Sequence, residues 1–386
     1  MSIRGKAFIA GAYEHPLRDI PDRSTAQVHA EVALGAAADA GLTLDDVDGY
    51  FCAADAPGFG ALTMADYLGL KKLSYLDSTE MGGSSYVAHV GHAAAAIAAG
   101  KCSVALITLA GRPRHERFFG RFGAAPEGGF EQPYGLNIVS MYALAARRHM
   151  HEFGTTSEQL AEIKVAASLH AQHNPDAFLP KAVTIEQVVE SRLISDPLHL
   201  LDCCVITDGG GALIVVSPEV ARSLPRKSVK VLGHGEATKN PDNGRVDLTY
   251  TGARWSGPRA FEEAGVSHAD IDYASIYDSF TITVLETIED LGFCEKGEGG
   301  RFVSDGALVA PHGKLPFNTD GGGLCNNHPT NRGGITKVIE AVRQLRGEAQ
   351  PAVQVADPQI ALVHGTGGSL GTRMGSATLI LGQEDS

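Results

Sequence analysis

The chain has 386 residues, a net charge of −13, and 44% hydrophobic against 20% charged residues, an ordinary globular mixture long enough for two or three domains. The acidic balance argues against a nucleic-acid-binding surface, which needs clustered Lys and Arg. No apolar run approaches the roughly 18 residues of a membrane span, and no apolar segment follows the N-terminus as a signal peptide requires. The six cysteines, at 52, 102, 203, 204, 294 and 325, form no Cys-x-x-Cys pair. That spacing speaks against a metal site, and the chain reads as cytoplasmic with free thiols.

Residues 6–11 read as a strand, 24–41 as a helix capped by Ser24 and ended by Gly41, and 47–52 as a strand. A short apolar run at 73–76 precedes an alanine-rich helix over 84–99 and a strong strand over 103–110. This rhythm predicts a mostly parallel sheet covered by helices. Residues 111–197 read as a long insertion, with Gly/Pro-rich loops near 123–135 and helices near 137–152 and 157–173. Insertions of that length commonly serve as lids or binding elements. A strand over 212–216 follows it.

The rhythm restarts at Ser228, with a strand over 229–233, a helix over 257–264, a strand over 271–277 and a helix over 280–291. A helix over 330–345 and strands over 359–363 and 374–381 complete it. The shared order of elements predicts a duplication into halves 1–217 and 218–386, although no repeat is visible residue by residue.

Three Gly-rich segments fall where strands should end: Gly82-Gly83-Ser84-Ser85, Gly321-Gly322-Gly323 and Gly365-Thr366-Gly367-Gly368. Glycine there lets backbone approach a ligand and presents free N–H groups. None matches a nucleotide-binding fingerprint, and each taken alone also fits a tight turn.

Together with their surroundings they resemble the thiolases, and among them the sterol-carrier and lipid-transfer-protein type. Asn318-Thr319-Asp320-Gly321-Gly322-Gly323, Asn327-His328-Pro329 and Gly333-Gly334 look like that family's Asn-x-x-Gly-Gly…Gly-His-Pro…Gly segment. Cys203-Cys204 with Thr207-Asp208-Gly209-Gly210 looks like its Cys-Cys…Asp-Gly-Ala signature. Tyr277-Asp278-Ser279-Phe280 stands where the sterol-carrier type has His-Asp-Cys-Phe, and His364-Gly365-Thr366-Gly367-Gly368 resembles its C-terminal glycine motif. The resemblance implies an α/β thiolase fold of two similar βαβαβαββ halves in an αβαβα arrangement, a homodimer, and a coenzyme A thioester as substrate with no bound cofactor.

The sequence departs from the family at both catalytic thiols. The acyl-carrying cysteine aligns with Gly82, and the second cysteine aligns with Ser279 or Gly365. A serine hydroxyl is a weak nucleophile without a paired base, and neither Ser84 nor Ser85 sits in a Gly-x-Ser-x-Gly elbow. Cys325, three residues before His328, reads either as a residue of the pocket or as a buried small side chain.

What remains is equipment for stabilising an enolate. The resemblance implies that Tyr277 and His328 face the thioester oxygen, that backbone N–H groups near Gly83 and Gly367 make a second oxyanion site, and that Asp278 orients its neighbours. Tyr277 can donate to an oxyanion, or carry a proton if its pKa is lowered; a core tyrosine at a strand end is the plain alternative. Such a site suits retro-aldol cleavage of a β-hydroxyacyl-CoA. The chain also resembles the thiolase-like aldolases of steroid side-chain degradation, which carry Tyr-Asp here and work with a small zinc-ribbon and OB-fold partner. Those aldolases have a tyrosine where this chain has His328, so the expected proton-transfer pair is Tyr277 and His328. An acyltransferase with a non-standard nucleophile and a non-catalytic acyl-CoA-binding subunit are the alternatives. Arg112, Arg114, Arg117 and Arg121 form a basic cluster that could hold the coenzyme A phosphates or serve as a solvated loop. His89 and His92 lie three apart on the alanine-rich helix with no carboxylate near them in sequence.

Overall fold

Continuous apolar runs make strands buried on both faces, and Gly209–Val216 and Val104–Gly111 are buried at every position. The computed structural model describes residues 2–116, 128–135, 137–239, 245–329, 333–371 and 374–384. Arg117 and Arg121 lie outside the described residues, as do residues 330–332, where the last helix was expected to begin.

The first half runs β1 (Phe8–Glu14), α1 (Thr25–Ala40), β2 (Gly49–Phe51), β3 (Tyr75–Asp77), α2 (Ser85–Ala98) and β4 (Val104–Gly111). Ser24 caps α1 through a reciprocal capping box with Gln27, and Gly41 closes it at φ 72°. The insertion supplies α3 (Ile138–Phe153), α4 (Ser157–Ala171) and a hairpin of β5 (Leu193–Ser195) and β6 (Leu198–His199) before β7 (Gly209–Val216). The second half follows as β8 (Val229–Lys239), α5 (Ala253–Ala264), β9 (Tyr273–Ile276), α6 (Thr281–Asp290), α7 (Gly334–Arg346), β10 (Ile360–Gly368) and β11 (Met374–Gly382).

One sheet takes in nine strands in the order β3-β2-β4-β7-β1-β8-β11-β10-β9. Read outward from the β1–β8 seam, the two sides match. β1–β7 and β7–β4 are antiparallel and β4–β2 parallel; β8–β11 and β11–β10 are antiparallel and β10–β9 parallel. The two sides therefore share one strand arrangement. The place of β3 in the second side is held by a single parallel bridge between Ala274 and Phe317. The expectation of a mostly parallel sheet is corrected: β7 and β11 return antiparallel into the middle of each side, which makes the sheet mixed.

The helices form layers. α2 and α7 lie between the two sides of the sheet, each packed on strands of both. α1 covers the outside of β1, β7 and β4, while α5 covers β8 and β11. The insertion docks on the second side, with α3 and α4 against α6. No helix among the described residues is long and apolar enough to cross a membrane. The carboxylates missing near His92 in sequence arrive in space: its Nδ1 lies 3.1 Å from Asp77 and its Nε2 2.6 Å from Glu236.

Candidate active site

β9 delivers Tyr277 to the centre of the molecule. Asn318 fixes the strand end by accepting from the Ile276 N–H (2.9 Å) and donating to the Ile276 carbonyl (2.8 Å), and the Tyr277 N–H donates to the His364 carbonyl at 2.9 Å. The phenol ring lies flat against the Gly82–Gly83 turn. A Cβ on Gly83 would fall 2.5 Å from the ring and 2.4 Å from the Thr366 carbonyl, so only glycine fits beneath Tyr277.

His328 reaches the same point from the loop between α6 and α7. The Tyr277 Oη and His328 Nε2 are 2.8 Å apart, and the rings meet edge to face. The loop is anchored by a buried polar network. Thr207 Oγ1 accepts from the His328 N–H and donates to Asn327 Oδ1, both at 2.8 Å. Glu14 Oε1 accepts from Asn327 Nδ2 at 2.9 Å and from Asn326 at 3.2 Å, and Arg18 donates to Asn326 Oδ1 at 2.8 Å. Burial opposes the Glu14 charge, yet Arg18 and Arg343 outweigh it and hold the carboxyl below its ordinary range. Sequence reasoning did not single out Glu14, Arg18 or Asn326, because buried charge pairing is a property of the fold.

Asp278, expected to orient its neighbours, is buried. Its oxygens accept from the Gly323 and Leu324 N–H groups at 2.8 and 3.1 Å, and Lys337 of α7 lies 2.9 Å away. Burial opposes the Lys337 ammonium, but Asp278 and Asp320 outweigh it and push its pKa up. Lys337 is a further residue the sequence did not signal; its position on an apolar helix face was the only available cue. The Ser279 hydroxyl lies 3.1 Å from that of Thr283 and is hydrogen-bonded to Tyr142.

The nucleophile readings fail on geometry. Gly82 sits at φ +59°, and a Cβ there would meet the Gly368 nitrogen at 2.8 Å, so the backbone of the C-terminal motif closes over the position. Ser84 donates to the Met81 carbonyl and Ser85 accepts from the Met81 N–H, each at 2.7 Å. Cys325 is fully buried beneath Lys164, whose Nζ lies 3.1 Å from the sulfur; burial raises the thiol's pKa even so. Gly367 does meet the turn, since a Cβ on it would fall 2.9 Å from the Gly83 nitrogen.

Two expected residues lie elsewhere. His364 faces the outer side of β10, because strand alternation sets it opposite Gly365; its Nδ1 bonds Thr378 at 2.9 Å and burial pushes it down to about 3. Arg112, read either as a phosphate ligand or as part of a solvated loop, spends its donors on the Ile20 and Pro21 carbonyls and on Glu116. Arg114 is a third exposed, stacks over Phe178 and approaches Asp19. Asp208 caps a turn, accepting from the Ile20 and Arg114 N–H groups.

Burial is the largest influence on Tyr277 and raises its pKa well above 10, with Cys204, Tyr142 and Asp278 adding to it. Of the two roles open to Tyr277, burial favours the donor: the site presents a protonated phenol against an imidazole.

The thiolase C-terminal domain-like family matches residues 235–383. An acetyl-CoA acetyltransferase from Methanothermobacter thermautotrophicus is 41% identical, over 63% of this chain and 63% of that enzyme. A steroid side-chain-cleaving aldolase from Thermomonospora curvata is 34% identical over 98% of both chains. The solved structure of an Ltp2-ChsH2(DUF35) aldolase superposes over the full length of both chains with a TM-score of 0.91 and 33% identity. With near-complete coverage by the aldolases and a fold built on the thiolase plan, the chain belongs to the thiolase superfamily, in its sterol-carrier-type, aldolase-like branch.

Proposed function

We propose that the protein cleaves a β-hydroxyacyl-CoA by retro-aldol chemistry, with Tyr277 and His328 as its catalytic pair. The observation that carries this reading is the 2.8 Å contact between the two side chains, set over a glycine turn where the family's nucleophile would stand. His328 Nε2 takes the proton of the β-hydroxyl as its O–H electrons form the new carbonyl. The Cα–Cβ pair passes to the thioester as an enolate. The Tyr277 hydroxyl, released from His328, donates to the enolate oxygen, and the backbone at Gly83 and Gly367 supports it. The imidazolium returns its proton to Cα. A ketone or aldehyde and a shortened acyl-CoA leave, and neither free coenzyme A nor water is consumed.

The bulky acyl group of a steroid side chain is the substrate class suggested by the aldolase relatives. The same likeness supports a DUF35-type partner of the zinc-ribbon and OB-fold kind, joined to a homodimeric core. Among the described residues of the basic cluster, Arg114 is the remaining candidate for a coenzyme A phosphate. The six free cysteines suit the cytoplasm. The test is cleavage of a β-hydroxyacyl-CoA without added coenzyme A, by wild type and by Tyr277→Phe, with the partner supplied. A variant as active as wild type would remove Tyr277 from the mechanism.

A further inference from the structure

The Tyr277 hydroxyl has a second neighbour besides His328. The backbone N–H of Gly333, the residue that caps α7, donates a hydrogen bond to the phenol oxygen. A phenol oxygen gives one proton and keeps a lone pair with which to accept. With the Gly333 N–H on that lone pair, the phenol's own proton lies between Oη and His328 Nε2, which are 2.8 Å apart. Nε2 is then the acceptor, and the ring proton of the neutral imidazole sits on Nδ1.

The amide is fixed in place by its own helix and by the strand it serves. Gly333 holds φ −64° and ψ 7°, and its carbonyl accepts from the Thr336 hydroxyl at 2.7 Å. Gly334 is pressed on the turn below Tyr277: a Cβ on it would fall 1.9 Å from the Gly83 carbonyl oxygen. Lys337, one turn further along α7, lies 2.9 Å from Asp278, the residue that follows Tyr277. The helix is thus tied both to the glycine beneath the phenol and to the residue beside it. Its 13 residues align their peptide dipoles behind the Gly333 N–H, with the positive end toward Oη. Burial, Cys204, Tyr142 and Asp278 raise the phenol's pKa, and the Gly333 N–H works against them.

We propose that Gly333 is a positioning residue whose backbone N–H sets the direction of the proton between Tyr277 and His328. It leaves the Nε2 lone pair of His328 as the base and the Tyr277 proton as the one to be given away. When a substrate hydroxyl displaces the phenol from Nε2, the N–H keeps Oη in place while the phenol proton turns to the enolate oxygen. The same N–H strengthens the phenol as a donor while charge gathers on that oxygen. The step at the enolate rests on the lyase reading; the placement of the proton in the resting site does not.

The test reads the resting protein first. Nitrogen NMR on the full chain, labelled in its histidine rings and assigned with His328→Gln, is expected to show an unprotonated Nε2 and a protonated Nδ1 for His328. A proton on Nε2 in the wild-type chain overturns the proposal, whatever the variants do. The second arm removes the N–H. Glycolic acid introduced at position 333 turns the amide into an ester of the same shape, and Gly333→Pro removes the N–H at a φ that proline adopts. Either is expected to move the ring proton partly from Nδ1 to Nε2. Either is also expected to lower lyase kcat about 10-fold with little change in KM, the worth of one hydrogen bond. Gly333→Ala retains the N–H and is expected to retain the proton on Nδ1, although its Cβ would fall 3.3 Å from the His328 ring. A folded ester chain with the wild-type tautomer overturns the proposal as well. Absence of lyase activity in the wild type would strike the lyase reading alone, because the tautomer is read without substrate.

Discussion

The hydroxyl of Tyr277 lies 2.8 Å from Nε2 of His328, joining the end of β9 to a loop 51 residues later in the chain. Neither ring is free to wander. The phenol rests on Gly83, and the imidazole is flanked by Gly323 and Gly333, each with no side chain to push it aside. In the mechanism we propose, the imidazole takes the hydroxyl proton and the protonated phenol receives the enolate oxygen.

Tyr277→Phe removes the hydroxyl and keeps the ring. Lyase kcat is expected to fall by about 10²–10³, the usual cost of an oxyanion donor, with KM little changed. Stability should change by no more than about 1–3 kcal/mol, since a single hydrogen bond is lost. Steady-state kinetics with a urea titration check both halves of this expectation.

Gly83→Ala acts on the same ring from below. The added Cβ would overlap the phenol at 2.5 Å, so the ring must move off His328. Activity is expected to fall at least as far as in Tyr277→Phe, although Tyr277 is still present. A crystal structure of the variant with Tyr277 in place and full activity would contradict this.

Gly82→Cys restores the residue a thiolase uses and is expected to restore nothing. The position is left-handed and an added Cβ would fall 2.8 Å from the Gly368 nitrogen, so the new side chain strains the turn. Intact mass after incubation with acyl-CoA should show no acyl adduct; a stoichiometric adduct would mean that the turn can open.

The Asp278–Lys337 pair is buried on both sides. Lys337→Met leaves Asp278 without its counter-charge and is expected to cost about 3–5 kcal/mol. Asp278→Asn in the same chain should recover part of that loss, which a double-mutant cycle in urea would reveal.

Acid should destabilise the fold before the carboxylates titrate. Burial pushes His89, His170 and His234 down to about 4 and His364 to about 3, from 6.5. The unfolded chain therefore binds more protons below pH 6.5, and stability is lost as pH falls towards 4. His92 runs the other way. Burial opposes its charge, but Asp77 and Glu236 push it up to about 9, so its contribution is full below 6.5 and fades as pH rises to 9. Urea midpoints measured across this range should fall on the acid side, and a flat profile would contradict the burial argument.

Much of this site was legible in the sequence, because glycines in three segments and the Tyr277 and His328 motifs stand at fixed places in the chain. The strands and central helices were legible for a similar reason: apolar runs and Gly stops are local signals. What was not legible depends on the third dimension. Which face of β10 His364 occupies follows from the register with β11, and the outer face is where it went. That Arg112 gives its donors to the Ile20 and Pro21 carbonyls is likewise set by packing. Nothing local marks Lys337 and Glu14, and only packing sets them against Asp278 and the His328 loop. The antiparallel return of β7 and β11 likewise has no local mark.

The central claim is cleavage of a carbon–carbon bond without a nucleophilic thiol. Its most direct test is an assay of the protein, alone and with a DUF35-type protein added, on β-hydroxyacyl-CoA and β-ketoacyl-CoA, each with and without free coenzyme A. The account predicts cleavage of the hydroxy substrate to a ketone or aldehyde with no free coenzyme A required. Cleavage confined to the keto substrate, and only with free coenzyme A present, would show a thiolase and contradict it.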